Sequence, residues 1–193
     1  MQKIKLCMDP LCGWCYAAAP EVKKLAETAA IELIPTGLFS QAGRTVTPEF
    51  ARHAWSNDQR IAQLTGQVFS DSYRDNLLQE GMPFNSFPIV LALTWVQQQA
   101  PEQELNAYHA IQTARYVDGR DNTQLPVLAN ILANLPLALS EAEILQALQD
   151  EALVQQTEQR LAAGQAEARQ FAVQGVPSVF AETGQGWQQV KVY

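Results

Sequence analysis

Two cysteines two residues apart, Cys12-Gly13-Trp14-Cys15, stand between a short alternating run and a run of helical period. A cysteine at a helix N-terminus meets unpaired backbone N–H groups and the positive end of the helix dipole. Both favour the thiolate, which is the reactive form. A spacing of two lets one helical turn bring both sulfurs within bonding reach. The order then makes Cys12 the exposed attacking thiol and Cys15 the shielded resolving one. A lone C-x-x-C also serves as half of a zinc site. The other candidate ligands, Cys7, His53 and His109, show no ligand spacing, so no metal is expected. Inert structural cysteines are the remaining plain reading. The strand-then-helix context favours redox chemistry over it.

The flanking pattern sets the architecture. Residues 2–8 alternate, with Ile4, Leu6 and Met8 on one side and Lys3, Lys5 and Cys7 on the other, which is a half-buried strand. Cys7 reads as a packed free thiol. Asp9-Pro10 ends the strand. A helix is expected from about Cys12 to Thr28, bent at Pro20. Residues 31–36 read as a second strand, which completes a right-handed βαβ unit with parallel strands. After a loop to Thr47 the pattern is helical from Pro48 to about Phe171, including a capping box at Ser140 and Glu143. The period then returns to two. A loop at Gly175-Val176-Pro177-Ser178 enters a strand, and a turn at Gly184 to Gly186 joins it to Trp187–Tyr193 as an antiparallel hairpin.

Length and charge narrow the function classes. A chain of 193 residues suits one domain, or one domain with an insertion, and needs no disulfide staples. A net charge of −7 disfavours nucleic acid and anionic membrane surfaces as partners. No window reaches the roughly 20 apolar residues of a membrane span. Lys3 and Lys5 interrupt the early apolar run, so no export leader is expected, and three cysteines then point to a reducing, cytoplasmic compartment.

Together these residues resemble a known family. Cys12-Gly13-Trp14-Cys15 with Pro20 five positions on is similar to the active-site helix of thioredoxin-like proteins. Gly175-Val176-Pro177-Ser178 resembles their second landmark, a residue followed by a cis-proline that faces the cysteines. By itself Val176-Pro177 reads as an ordinary trans-proline opening an edge strand; the resemblance implies the cis form. The long helical block resembles the DsbA-like branch, in which a helical domain interrupts the thioredoxin fold. The opening Asp9-Pro10-Leu11-Cys12 resembles the DsbA-related subgroup that includes FrnE and predicted bacterial protein disulfide isomerases without signal peptides.

The resemblance implies an α/β thioredoxin-like fold, a βαβ unit plus a C-terminal β-hairpin, with a large all-helical insertion. Residues 1–47 and 172–193 would form the thioredoxin-like domain and 48–171 the insert. It implies a thiol–disulfide oxidoreductase without a cofactor, acting on protein or peptide thiols and disulfides, with glutathione as a further partner. Cys12 and Cys15 would be catalytic and Gly13 and Trp14 the active-site dipeptide. Val176 and Pro177 would hold an extended substrate by strand addition.

Three departures stand out. The family often has a buried acid six residues before the first cysteine, where this chain has Leu6; Asp9 nearby reads as a turn or cap. The Gly13-Trp14 dipeptide offers no imidazole to the Cys12 thiolate. No closing helix follows the hairpin, which leaves the cover of the sheet open and makes both monomer and dimer expectations.

Two other classes are carried forward. Kappa-class glutathione transferases and hydroxychromene-carboxylate isomerases resemble the same insert architecture. They typically carry serine where this chain has Cys12, and Cys15 argues against that reading. A non-catalytic thiol sensor is the third class. His53 and His109 read as structural histidines, and Arg52, Arg60 and Arg115 as solvated helix-face charges.

Overall fold

The computed structural model describes residues 2–191. The alternation at the start of the chain forms β1 (Gln2–Met8). Ile4, Leu6 and Met8 are buried in the largest apolar cluster, and Cys7 is buried on the opposite face. β2 (Ala29–Pro35) pairs parallel with β1, Leu6 opposite Leu33. Near the other end of the chain, β3 (Ser178–Thr183) pairs antiparallel with β1, and β4 (Gly186–Val190) antiparallel with β3. The sheet order is β2-β1-β3-β4, which is the expected βαβ unit with an added hairpin. The last two residues assigned to that hairpin, Val192 and Tyr193, lie outside the described residues.

The helix after the cysteines is not one bent rod. It divides into α1 (Gly13–Ala17) and α2 (Ala19–Ala26) at Ala18. Pro20 has no N–H to give the Tyr16 carbonyl four residues back. That carbonyl instead accepts from Gln67 Nε2 at 3.1 Å.

Between β2 and β3 the chain forms α3 (Pro48–Thr65), α4 (Asp71–Leu77), α5 (Phe87–Gln99), α6 (Glu104–Tyr116), α7 (Leu125–Ala133), α8 (Glu141–Ala147) and α9 (Glu151–Gln170). α3 opens with Pro48 behind a Thr47 cap, whose hydroxyl accepts from the Phe50 N–H. It stops at Gly66, at φ 75°, where a left-handed residue is needed. The capping box at Ser140 and Glu143 is present. α5 is buried continuously from Ile89 to Val96 and carries the core from the sheet into the helices.

The last helix answers what covers the second sheet face. Gly164 of α9 lies so near β2 that a β-carbon there would fall 2.2 Å from the Pro35 carbonyl oxygen. Glu167 pairs with Lys5 of β1. Just past the helix, Phe171 stacks on Phe180 with ring centres 4.5 Å apart, beside buried Cys7. Burial pushes the Cys7 thiol up to about 11, as befits a packed, inert cysteine.

One charge assignment is overturned. Arg115, expected at a solvated helix face, is 1 % exposed. α6 is packed on several sides, and the Arg115 guanidinium lies 5.4 Å from the ring centres of both Tyr73 and Phe84. Arg52 and Arg60 are exposed as expected.

Candidate active site

Cys12 is the N-cap residue of α1, in extended backbone geometry, and Cys15 sits one turn further in. The sequence places them in unequal surroundings. Cys12 is half-buried, whereas Cys15 is 2 % exposed and belongs to the main core. A hydrogen bond from the Cys15 thiol and the backbone N–H groups of Cys15 and Trp14 hold the Cys12 thiol below its usual value, against burial and the nearby Asp9 charge. Cys15 is driven the other way, first by burial and then by its bond to Cys12. One thiol of the pair is thus readied for ionisation and the other kept protonated.

The loop before β3 meets this turn. The Val176–Pro177 peptide is cis. The Cys12 thiol donates to the Val176 carbonyl oxygen at 3.5 Å, so residues 164 apart in sequence share one site. The two expected landmarks, Cys12 to Cys15 and Val176 to Pro177, are therefore brought together.

The turn itself is braced from below. Asp9 is fully buried, and both carboxyl oxygens are used: Oδ1 accepts from the Leu11 N–H, and Oδ2 from the Phe39 N–H and the Ser86 hydroxyl, each at 2.9 Å. It is thus more than a turn former, since it ties the cysteine turn to the β2–α3 loop and to the start of α5. Burial raises its carboxyl above the ordinary range despite those bonds. Leu6, in the position where the family often has its acid, is buried among apolar side chains. From α6, the Tyr116 hydroxyl donates to the Leu11 carbonyl at 2.9 Å, and its ring stacks on Tyr16 at 4.8 Å.

Beside Cys12 lies a cavity of about 320 Å³. Six aromatic side chains line it, Trp14, Phe39, Phe50, Tyr73, Phe84 and Tyr116. Its polar lining comes from α3: His53, Asn57 and Asp58. His53, read as structural, is exposed at this cavity. His109 is 6 % exposed, and neither ring nitrogen has a hydrogen-bond partner among the described residues. It is packed, but not satisfied.

Asp58 is the residue that sequence reasoning passed over. It is 4 % exposed and accepts from the Tyr73 hydroxyl at 2.9 Å. Burial pushes its carboxyl up to about 7, against the pull of Tyr73 and Arg115. The signal was in the stripe Phe50, Ala54, Asp58, Ile61, which steps by four, four and three along α3. A carboxylate in an otherwise apolar stripe is a buried charge in need of an explanation.

A family model described as a DsbA-like thioredoxin domain matches residues 3–192. The chain belongs to the DsbA-like thioredoxin domain family. No curated protein matches it. Among solved structures it is similar to the cytosolic disulfide reductase DsbM from Pseudomonas aeruginosa, at 29% identity and a TM-score of 0.84, over 98% of this chain and 89% of that one. The same protein with GSH gives 29% identity and a TM-score of 0.81 over the same shares. A 2-hydroxychromene-2-carboxylate isomerase matches at 19% identity and a TM-score of 0.64, over 96% of this chain and 87% of that one, which is a likeness of fold.

Proposed function

We propose that this DsbA-like chain is a cytoplasmic thiol–disulfide oxidoreductase acting on protein or peptide disulfides, within the subgroup that includes FrnE and related bacterial protein disulfide isomerases. The observation that carries the reading is the meeting of Cys12 with Val176: a half-exposed thiol, favoured as thiolate, 3.5 Å from the carbonyl that precedes a cis-proline. Cys12 thiolate attacks a substrate disulfide, a mixed disulfide forms, and one substrate thiolate leaves. Cys15 then attacks the Cys12 sulfur, the second substrate thiolate leaves, and Cys12–Cys15 is oxidised. Gly13 keeps the turn between them narrow, and Trp14 lends an apolar flank. The Val176 and Pro177 backbone holds the substrate chain as an added strand. Residues 1–47 and 172–193 serve as the redox domain and 48–171 as its helical insert. Glutathione, which accompanies the similar DsbM in one structure, is the small thiol that we assign to resetting the pair.

The test is insulin reduction driven by glutathione, run on wild type and Cys12→Ser. Loss of turnover in Cys12→Ser is expected; full activity in that variant overturns the assignment. A second reading, a glutathione-dependent small-molecule isomerase, is favoured by the cavity of about 320 Å³ beside Cys12. Glutathione binding and isomerase turnover that survive Cys15→Ala, without protein-disulfide exchange in wild type, would select it.

A further inference from the structure

Asp58 takes no part in the exchange steps above, yet it lines the same cavity as Cys12. Its Oδ2 accepts from the Tyr73 hydroxyl at 2.9 Å. A β-carbon built at Gly13 would fall 2.5 Å from Oδ1, so this oxygen stands over the turn that joins the two cysteines. An ionised carboxylate on a residue only 4 % exposed is costly, and a bound proton relieves that cost. The shift of this carboxyl to about 7 agrees with the geometry.

We infer that Asp58 is the acid that protonates the leaving thiolate when Cys12 opens a low-molecular-weight disulfide seated in this cavity. The inference rests on Cys12 as the attacking thiol. Exchange runs in line through three sulfurs, so the leaving sulfur lies roughly 4 Å beyond the Cys12 sulfur, about two S–S bond lengths. The acid that serves it must therefore reach the space in front of the Cys12 sulfur. Asp58 comes from α3, whereas Cys12 heads α1, and both face the same space. A cavity of about 320 Å³ fits a small disulfide and not a protein loop.

The step balances. The Cys12 S–S bond forms, the substrate S–S bond breaks, and its electron pair stays on the leaving sulfur. That sulfur takes the Asp58 proton and departs as a thiol, leaving Asp58 as carboxylate. No outside reductant enters, because the enzyme dithiol supplies both electrons once Cys15 closes the internal disulfide.

Single turnovers of the reduced full chain test this with two neutral disulfides. Hydroxyethyl disulfide releases a basic alkyl thiolate that needs a proton. Bis(nitrophenyl) disulfide releases a weakly basic thiolate that does not. Asp58→Asn is expected to slow the alkyl substrate by about a hundredfold, at the low end for general acid catalysis, with a much smaller loss on the aromatic one. Equal losses on both would overturn the inference, because a merely structural role moves both; so would no loss on either. Cys12→Ser separates the two layers: if it still exchanges, the thiol reading itself has failed. Tyr73→Phe covers the case in which Asp58→Asn does not fold. The titratable or charged groups around Asp58 are Tyr73 from α4, Arg115 and Tyr116 from α6, His53 on its own helix and the Cys12 thiol. Removing the Tyr73 hydroxyl, which favours the carboxylate, should move the basic limb of the alkyl-disulfide rate to higher pH. A limb that stays in place overturns the inference.

Discussion

At the scale of single residues, the site is a set of groups held away from their ordinary ionisation, and Asp58 carries a clear cost for it. Its carboxyl stands at about 7 in the folded chain against an ordinary 3.8. Below 3.8 both folded and unfolded chains hold the proton, and the group costs nothing. As pH rises from there to about 7, the unfolded chain releases its proton while the folded chain keeps it, so stability falls. Above about 7 the full cost remains, up to about 4 kcal/mol at about 1.4 kcal/mol per unit. Asp58→Asn should therefore raise the denaturation midpoint at pH 8 and change it little at pH 4. Urea titrations at the two pH values check this, and an equal effect at both would refute the assignment. The cysteine pair and the packed Cys7 were legible from local pattern, whereas the cis form of Val176–Pro177 was legible only through the family resemblance, because by itself the dipeptide reads as trans. Asp58 was not legible, because its meaning depends on α3 packing over a turn 45 residues earlier. Arg115 was misread for a related reason. Its surroundings are the aromatic rings of α4 and α6 and of Phe84, and nothing local to the sequence shows them.

At the scale of elements, close approach decides the sign of substitutions that helix propensity alone would get wrong. In an open helix Gly→Ala is worth about 1 kcal/mol in favour of the helix. At Gly164 the added β-carbon would fall 2.2 Å from a backbone oxygen of β2, which no side-chain rotation relieves. Gly164→Ala should instead lose about 1–3 kcal/mol as α9 lifts from the sheet, measured as a lower urea midpoint. Periodicity showed that this helix exists and which side it buries. It did not show that α9 covers this face of the sheet, since that needs the distance to β2. α6 carries a second element-level effect through His109. Burial, with Lys23 adding to it, lowers the imidazole to about 4 from an ordinary 6.5. The helix is fully stable above 6.5 with respect to this group. It loses about 3 kcal/mol as pH falls from 6.5 to about 4, while the unfolded chain takes up a proton that the folded one refuses. His109→Leu should flatten that acid slope. Stability curves taken between pH 7 and pH 4 test it, and an unchanged slope would assign the acid sensitivity elsewhere.

At the scale of the whole molecule, redox poise is a folding quantity. The reduction potential of the pair reports how much better the fold tolerates the dithiol than the disulfide, with about 30 mV for each 1.4 kcal/mol. DsbA is strongly oxidising, near −120 mV, because its reduced form is stabilised, whereas thioredoxin lies near −270 mV. Here the contributions divide. Backbone N–H groups and the Cys15 thiol favour the Cys12 thiolate, but the buried Asp9 opposes it, and Gly13-Trp14 supplies no positive side chain. Cys15 is held firmly as a thiol. A thiolate stabilised on one side and opposed on the other does not favour the reduced fold as strongly as in DsbA. The potential should therefore lie on the reducing side of roughly −180 mV, the value for protein disulfide isomerase. By the same linkage, Asp9→Asn should make the pair more oxidising, since it removes a charge that opposes the thiolate. Equilibration against glutathione buffers gives both potentials. Urea unfolding of the oxidised and reduced forms then supplies an independent leg of the same thermodynamic cycle. A wild-type value near −120 mV, with the reduced form the more stable to urea, would mean that the backbone donors outweigh Asp9 and that the chain works as an oxidant. A more reducing value, shifted upward by Asp9→Asn, fits a reductase or isomerase in which the buried acid sets the direction of exchange.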